Sequence, residues 1–104
     1  MKKESRIPYA SKFEEKHLIN IMLYLITNGP SRKIDIYQGV SSNPRMPDKI
    51  NSLESMGLVN QDMDDNSRST IVSLTKLGMD VAKLLEEMDK LLRIPSEKKE
   101  LADY

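Results

Sequence analysis

The side chains with the most usable chemistry lie between Pro44 and Met56, in a stretch whose spacing predicts a helix. One face is apolar because Met46, Ile50 and Leu53 recur at intervals of four and three residues. The opposite face is polar and carries Arg45, Asp48, Ser52 and Ser55, with Lys49 and Asn51 on its flanks. Such a helix suits a groove in nucleic acid, and it suits plain solvent equally well, so periodicity leaves both interpretations open.

No set of residues in the chain predicts catalysis or a bound cofactor. Asp62, Asp64 and Asp65 could attract a hard cation, but the loop has neither the glycine at its sixth position nor the glutamate at its twelfth that an EF-hand needs. We therefore expect a solvated turn. His17 is the only histidine and cysteine is absent, which excludes thiolate and multi-histidine metal sites. The sequence thus predicts no enzyme, no cofactor and no metal.

Length and composition are those of one small domain. With 104 residues, 38% of them hydrophobic and 31% charged, the chain can bury a modest core. No apolar run approaches the roughly 20 residues that cross a bilayer, and no signal peptide is apparent. Because cysteine is absent, a reducing cytoplasm is the expected compartment.

The formal net charge is zero, whereas domains that bind nucleic acid are usually basic. The charge is unevenly distributed, however. Residues 1–60 hold nine Lys and Arg against six Asp and Glu, a balance of +3, and residues 61–104 hold seven against ten, a balance of −3. The positive half contains the candidate groove helix, which slightly favours the nucleic-acid interpretation.

The elements before the candidate groove helix are predicted to be helical. Residues 1–10 are read as an irregular basic arm. Ser11 and Glu14 form a capping-box pattern at the start of a helix that runs to about Thr27, and residues 28–30 end it. Ser31 is predicted to cap a short helix at residues 32–38. With the helix at 44–56, which Gly57 ends, this short helix makes a helix-turn-helix candidate.

After Gly57 the apolar period changes from 3.6 to 2. Residues 58–63 and 68–74 are predicted strands, and residues 64–67 have the composition of a turn, so the pair forms a hairpin. Thr75 is predicted to cap a last helix that runs to about Arg93 and stops at Ile94-Pro95. The remaining tail is predicted to be frayed.

The first and last helices carry more apolar surface than a monomer of this size can cover. On the last helix the spacing of four and three follows a heptad pattern, made by Leu77, Val81, Leu84, Met88 and Leu91. The first helix adds a second stripe that includes Ile19 and Leu23. A long amphipathic helix can fold back on its own domain, but two such surfaces favour a homodimer with twofold symmetry.

Two motifs resemble those of winged helix-turn-helix transcriptional regulators. Ile50-x-x-Leu53-Glu54-x-x-Gly57-Leu58-Val59 is similar to the end of their recognition helix, and Leu74-Thr75-x-x-Gly78 to their junction between wing and final helix. The resemblance covers about residues 11–93 and is nearest in style to MarR/PadR-type regulators and the small archaeal Sso10a-like proteins. It implies a mainly α (α+β) fold with three helices, a two-stranded β wing and a long dimerisation helix. Its domains would be the arm at 1–10, the winged helix at 11–74, the dimerisation helix at 75–94 and the tail at 95–104.

The resemblance also implies which residues contact double-stranded DNA. In that family the helix equivalent to residues 44–56 enters the major groove, which would place near the groove Arg45, Lys49, Asn51 and Ser52. Arg32 and Lys33 would approach phosphate, and Arg68 would be the basic residue of the wing. Arg45 is the candidate for a base-edge contact because a guanidinium can bridge guanine O6 and N7. The wing departs from the pattern, since its three aspartates would repel phosphate.

Three functions are therefore open. The first is a homodimeric, sequence-specific DNA-binding regulator of transcription. The second, favoured by the neutral charge and the acidic wing, is a winged-helix module for protein–protein contact in a transcription or replication assembly. The third is a small-molecule sensor with a pocket between the first and last helices, although the sequence contains no polar cluster that indicates such a pocket.

Overall fold

The computed structural model describes the backbone of residues 7–102 and the side chains of residues 7–96. The three basic side chains of the predicted arm, Lys2, Lys3 and Arg6, lie outside these residues. A 3₁₀ helix at Tyr9–Glu14 comes first. It is followed by α1 (Leu18–Asn28), β1 (Ser31–Arg32), α2 (Lys33–Gly39), α3 (Met46–Ser55), β2 (Val59–Met63), β3 (Thr70–Leu74) and α4 (Lys76–Ala102).

The first predicted helix is two elements in the structure. Ser11 lies inside the 3₁₀ helix and caps nothing, since Pro8 is the residue that precedes that helix. His17 then takes a left-handed conformation with φ 75°, and α1 starts only at Leu18. The fully buried apolar stripe begins at Leu18, whereas the segment before it packs on the core through the half-buried Phe13. The predicted end at Gly29 is confirmed, and its φ is 77°.

A short strand that the sequence did not predict precedes α2. Ser31 pairs with Val72 and Arg32 with Ile71, both antiparallel. The hydroxyl of Ser31 donates to the carbonyl of Gly29 at 2.8 Å and therefore does not cap α2. Arg32 occupies the N-cap position instead. The sheet consequently has three strands in the order β1-β3-β2, where the sequence predicted a two-stranded wing.

Helix α3 lies within the predicted range, two residues shorter at its start and one at its end. Its apolar face is confirmed, because Met46, Ile50 and Leu53 are fully buried. At its end the N–H of Leu58 donates to the carbonyl of Leu53 at 3.0 Å, and that of Gly57 to the carbonyl of Glu54 at 2.9 Å. These two bonds make a Schellman motif around Gly57, whose φ is 80°.

The last helix is longer than predicted. Helix α4 continues through Pro95 to Ala102, so the predicted stop at Ile94-Pro95 is wrong. Proline lacks the N–H for one bond of the helix. The sequence after it, Ser-Glu-Lys-Lys-Glu-Leu-Ala, consists mostly of strong helix formers, which favour continuation on the far side.

Candidate nucleic-acid interface

The outward face of α3 is fixed by its buried face. Because Met46, Ile50 and Leu53 are held in the core between α1 and the sheet, the opposite side of α3 is presented to solvent. Its exposed residues are Arg45, Asp48, Asn51 and Ser55. The structure thus brings two of the predicted groove residues, Arg45 and Asn51, to one surface.

Arg45 stands at the N-terminal end of α3, directly before its first turn. Its backbone N–H donates to the side-chain oxygen of Asn43 at 2.8 Å, which fixes the chain where the helix begins. The residue is exposed, and its guanidinium makes no ion pair with any group in residues 7–96. The side chain is therefore able to meet an anion or a base edge.

Lys49 and Ser52 occupy the flank of α3 that faces the N-terminal segment. The Lys49 ammonium lies 3.1 Å from the Glu15 carboxylate, and only 14% of its side chain is exposed. Ser52 is half-buried and lines an open cleft of about 300 Å³, together with Lys12, Glu15 and Met56. The structure therefore turns Lys49 towards Glu15 and away from the outward face where the sequence placed a groove contact.

The opposite flank of α3 is joined to β2 by an amide that the sequence did not single out. The Nε2 of Gln61 donates to the Oδ1 of Asn51 and to the Oε1 of Glu54, both at 2.8 Å. Asn51 and Glu54 lie on adjacent turns of one helix flank, and Val59 and Gln61 project from one side of β2. The spacing Asn51-x-x-Glu54 was visible in the sequence, but the register of the strand beside it was not.

Arg32 and Lys33 lie at the start of α2, as predicted, but Arg32 already has a partner. Its guanidinium donates to both carboxylate oxygens of Asp35, at 2.9 and 3.1 Å. These hydrogen bonds lower the pKa of Asp35 and raise the pKa of Arg32. Lys33 is half-buried and makes no ion pair within the described side chains. Any phosphate at Arg32 would compete with Asp35.

The hairpin tip is acidic and solvated. Asp62 and Asp65 are exposed, while the carboxylate of Asp64 accepts hydrogen bonds from Ser67, which lower the pKa of Asp64. Arg68 is exposed and takes a left-handed conformation with φ 59°. Among the described residues no group of three or more acidic, histidine or cysteine side chains could hold a metal ion. One cation therefore stands beside three carboxylates at this tip.

Most of the heptad residues of α4 point away from the core. The exposed fractions of Leu77, Leu84 and Leu91 are 53%, 70% and 65%, and that of Met88 is 43%. Val81 is half-buried and packs against the core, to which Ala82 belongs. On α1, Ile19 and Leu23 are half-buried. The helix therefore uses one side for its own domain and leaves an uncovered apolar stripe.

None of the helices within the described residues has the length and apolarity that crossing a membrane requires.

Three packed helices, a β wing that follows α3 and a long last helix define a winged helix-turn-helix protein. The chain has the fold of MarR-like transcriptional regulators. MepR, a transcription regulator of the Staphylococcus aureus multidrug efflux pump MepA, is 17% identical, with a TM-score of 0.67 over 90% of this chain and 78% of MepR. A MarR-like transcriptional regulator from Thermotoga maritima is 25% identical, with a TM-score of 0.62 over 90% of this chain and 70% of its own.

A third similar structure is that of reduced AbfR bound to DNA. It is 20% identical, with a TM-score of 0.58 over 89% of this chain and 74% of AbfR. No family model matches the chain. No curated protein matches it either.

Proposed function

We propose that this protein is a DNA-binding transcriptional regulator that acts as a homodimer, with α3 in the major groove. The observation that carries the proposal is the outward face of α3, where the exposed guanidinium of Arg45 at the start of the helix and the exposed amide of Asn51 further along it are presented by a helix whose other face is held in the core. The similarity to MarR-like regulators, one of them bound to DNA, supports it. A dimer would present two such helices to two half-sites.

The predicted DNA contacts can be ranked by whether each side chain is exposed and whether it already has a charged partner. Arg45 is the first candidate for the groove, and Asn51 the second, because both are exposed on the outward face. Lys33 and Arg68 are candidates for phosphate. Arg32 and Lys49 are weaker candidates because each is paired with a carboxylate, and Ser52 is half-buried beside the cleft.

The uncovered stripe on α4 supports the dimer. Four large apolar side chains at heptad spacing lie in solvent along one helix, and pairing with a second copy would remove them from water. Each Å² of apolar surface removed from water contributes roughly 25 cal/mol, which acts against the entropy cost of association.

Fluorescence anisotropy on a labelled random-sequence duplex tests DNA binding. We expect affinity that falls steeply with salt, since neutralised phosphates release counterions. On a binding site selected from a duplex library, Arg45→Ala should weaken binding by about 1–3 kcal/mol and relax the preference at one base position, as the loss of a base-edge contact does. Arg93→Ala is the matched control, because Arg93 is an exposed arginine paired with Asp89 on α4. Equal effects of the two substitutions would contradict the assignment of α3.

A protein-contact module is the second candidate, and the exposed Asp62 and Asp65 favour it, since carboxylates at the wing tip oppose a phosphate contact. It predicts no duplex binding even at about 50 mM salt, where electrostatic binders still register. It also predicts a co-purifying partner that Asp62→Asn or Asp65→Asn releases. The cavity of about 110 Å³ between the ends of α1 and α4 gives little room for the ligand of a sensor.

A further inference from the structure

We propose that Gln61 is a positioning residue that fixes the direction of the Asn51 amide, so that Asn51 selects a hydrogen-bond acceptor on a base edge. The inference rests on the proposed DNA binding by α3. Part of the sequence preference of α3 would then depend on Gln61, a residue of β2 that lies outside the helix-turn-helix.

The direction of the three side chains follows from donor and acceptor chemistry. A carboxylate oxygen only accepts, so the atom of Gln61 at 2.8 Å from Glu54 is the amide nitrogen. The second hydrogen of that nitrogen points to Asn51 at 2.8 Å and requires the Asn51 oxygen there. The Asn51 NH2 group is then the end of the amide that remains for a partner. Within residues 7–96 this NH2 group makes no hydrogen bond.

The anchor of this arrangement is the sheet. Gln61 lies two residues after the buried Val59 and pairs in register with the buried Val72 of β3. Its half-buried side chain thus projects from backbone that is paired with β3, on the same side of β2 as the buried Val59. An amide held from a second element loses rotamer freedom before any DNA arrives, which lowers the entropy cost of forming the contact.

A fixed NH2 group distinguishes base edges that a free amide would not. The N7 atoms of purines, O6 of guanine and O4 of thymine accept hydrogen bonds in the major groove, while the N6 amine of adenine and the N4 amine of cytosine donate. A free asparagine can turn its oxygen to a donor or its nitrogen to an acceptor. When Gln61 holds the Asn51 amide, the Asn51 NH2 group donates a hydrogen bond to an acceptor on a base edge. Opposite the N4 amine of cytosine, the same NH2 group would place two donors against each other, which is repulsive.

The experiment compares Gln61→Ala with Asn60→Ala. Both remove a side-chain amide from β2, but Asn60 projects from the other side of the strand and is exposed. Binding sites are selected by each variant from a random duplex library and then ranked by competition. We expect Gln61→Ala to lose preference at one base position per half-site by roughly fivefold or more. Asn60→Ala should keep the wild-type preference, and both should keep the affinity for random duplex.

A double substitution separates positioning from general damage. In the Asn51→Ala background, Gln61→Ala should cause no further loss of base preference, because the group it positions is gone. A Gln61→Ala protein with the wild-type preference, or an equal loss in the Asn51→Ala background, would overturn the inference and leave the proposed function intact. Failure of the wild-type protein to bind any duplex would overturn both the proposed function and this role of Asn51.

The hydrogen bond by which Gln61 holds the Asn51 amide, called here the clamp, can be tested without DNA. In ¹⁵N-labelled protein the side-chain NH2 resonances of Asn51 should shift in Gln61→Ala and stay in place in Asn60→Ala. Thermal unfolding of the same samples establishes that both variants are folded. Unchanged Asn51 resonances in a folded Gln61→Ala protein would refute the clamp.

Discussion

The hydroxyl of Thr75 donates to the carbonyl of Gly57 at 2.6 Å and accepts from the N–H of Gly78 at 2.9 Å. It therefore caps α4 and at the same time ties α4 to the turn that ends α3. The N–H of Thr75 adds a bond to the carbonyl of Leu58 at 3.0 Å. The start of the proposed dimerisation helix and the end of the proposed recognition helix therefore form one hydrogen-bonded junction.

Gly78 is expected to be intolerant of any side chain because of this junction. A Cβ at that residue would lie 1.9 Å from the backbone oxygen of Leu58, which cannot move without breaking the junction. In an ordinary helix interior Gly→Ala stabilises by about 1 kcal/mol. Here we expect Gly78→Ala to destabilise by more than about 2 kcal/mol, as overpacking against backbone does.

Chemical denaturation of Gly78→Ala measures this change, with Gly29→Ala as control. Gly29 also has a positive φ, with ψ −167°, but a Cβ there meets nothing within 4 Å, so the expected cost is backbone strain alone, of about 1–3 kcal/mol. A stabilised Gly78→Ala protein would show that α4 packs less closely on Leu58 than the structure has it.

The carboxyl of Asp35 is expected to titrate below its ordinary range. The guanidinium of Arg32 donates two hydrogen bonds to this carboxylate and the backbone N–H of Arg32 a third, and they favour its charged form and lower its pKa. A carboxyl with a lowered folded-state pKa stabilises the protein above its unfolded pKa, and this contribution is lost as the pH falls through the folded pKa. The Arg32–Asp35 pair therefore stabilises the folded protein at neutral pH, and this stabilisation is absent in strong acid.

A ¹³C-detected titration of the Asp35 carboxyl checks this expectation. In Arg32→Gln the midpoint should return towards the ordinary aspartate value of about 3.9. The difference in unfolding midpoint between wild type and Arg32→Gln should be present near pH 6 and vanish near pH 2, as linkage requires. The same midpoint in both proteins would mean that the pair does not persist in solution.

Several predictions made from local pattern are confirmed, although the caps predicted at Ser11 and Ser31 and the stop at Pro95 are not. The three-residue and four-residue spacing of Met46, Ile50 and Leu53, the glycine at residue 57 and the cap at Thr75 are all confirmed. These features were readable because each depends on neighbours within about one helical turn. The resemblance to winged-helix regulators was correct for the same reason, since its motifs lie at two such element ends.

The short strand β1 and the partners of two site residues were missed because they depend on contacts between distant residues. β1 exists because Ser31 and Arg32 meet Val72 and Ile71, a pairing across 39 or more residues that leaves no local pattern. The partners of Lys49 and Asn51 come from the N-terminal segment and from β2, so the sequence of α3 alone could not show which of its residues are available to contact DNA.

Lys49 is expected to contribute less to DNA binding than Arg45. Its ammonium is held by Glu15, and a phosphate would have to displace that carboxylate and draw out a side chain that is 14% exposed. We expect Lys49→Ala to change the affinity for duplex DNA less than Arg45→Ala does. Glu15→Gln should strengthen binding, because it frees Lys49 and removes a negative charge.

Anisotropy titrations of the three variants at one salt concentration test the ranking. Glu14→Gln is the matched control for charge, since Glu14 is an exposed carboxylate beside Glu15 that forms no ion pair with residues 7–96. If Lys49→Ala weakened binding as much as Arg45→Ala, Lys49 would have to leave Glu15 in the complex.

The apolar stripe of α4 is expected to hold two copies of the chain together. Leu84 is 70% exposed at the middle of the stripe, so Leu84→Glu removes little packing from the domain itself. In a dimer the same substitution would bury two carboxylates against apolar surface, at a cost of several kcal/mol. We expect Leu84→Glu to be folded and monomeric. Lys83→Glu, an exposed change one residue away with a larger change of charge, should remain dimeric.

Sedimentation velocity at several concentrations distinguishes the two states, and circular dichroism reports folding. Loss of the dimer should also reduce binding to a two-half-site duplex far more than binding to a single half-site, because the second contact becomes a separate event. A wild-type protein that sediments as a monomer at high concentration would contradict the dimer and leave the stripe for a different partner. Dimeric Leu84→Glu would place the interface elsewhere, with the half-buried Ile19 and Leu23 of α1 as the next residues to substitute.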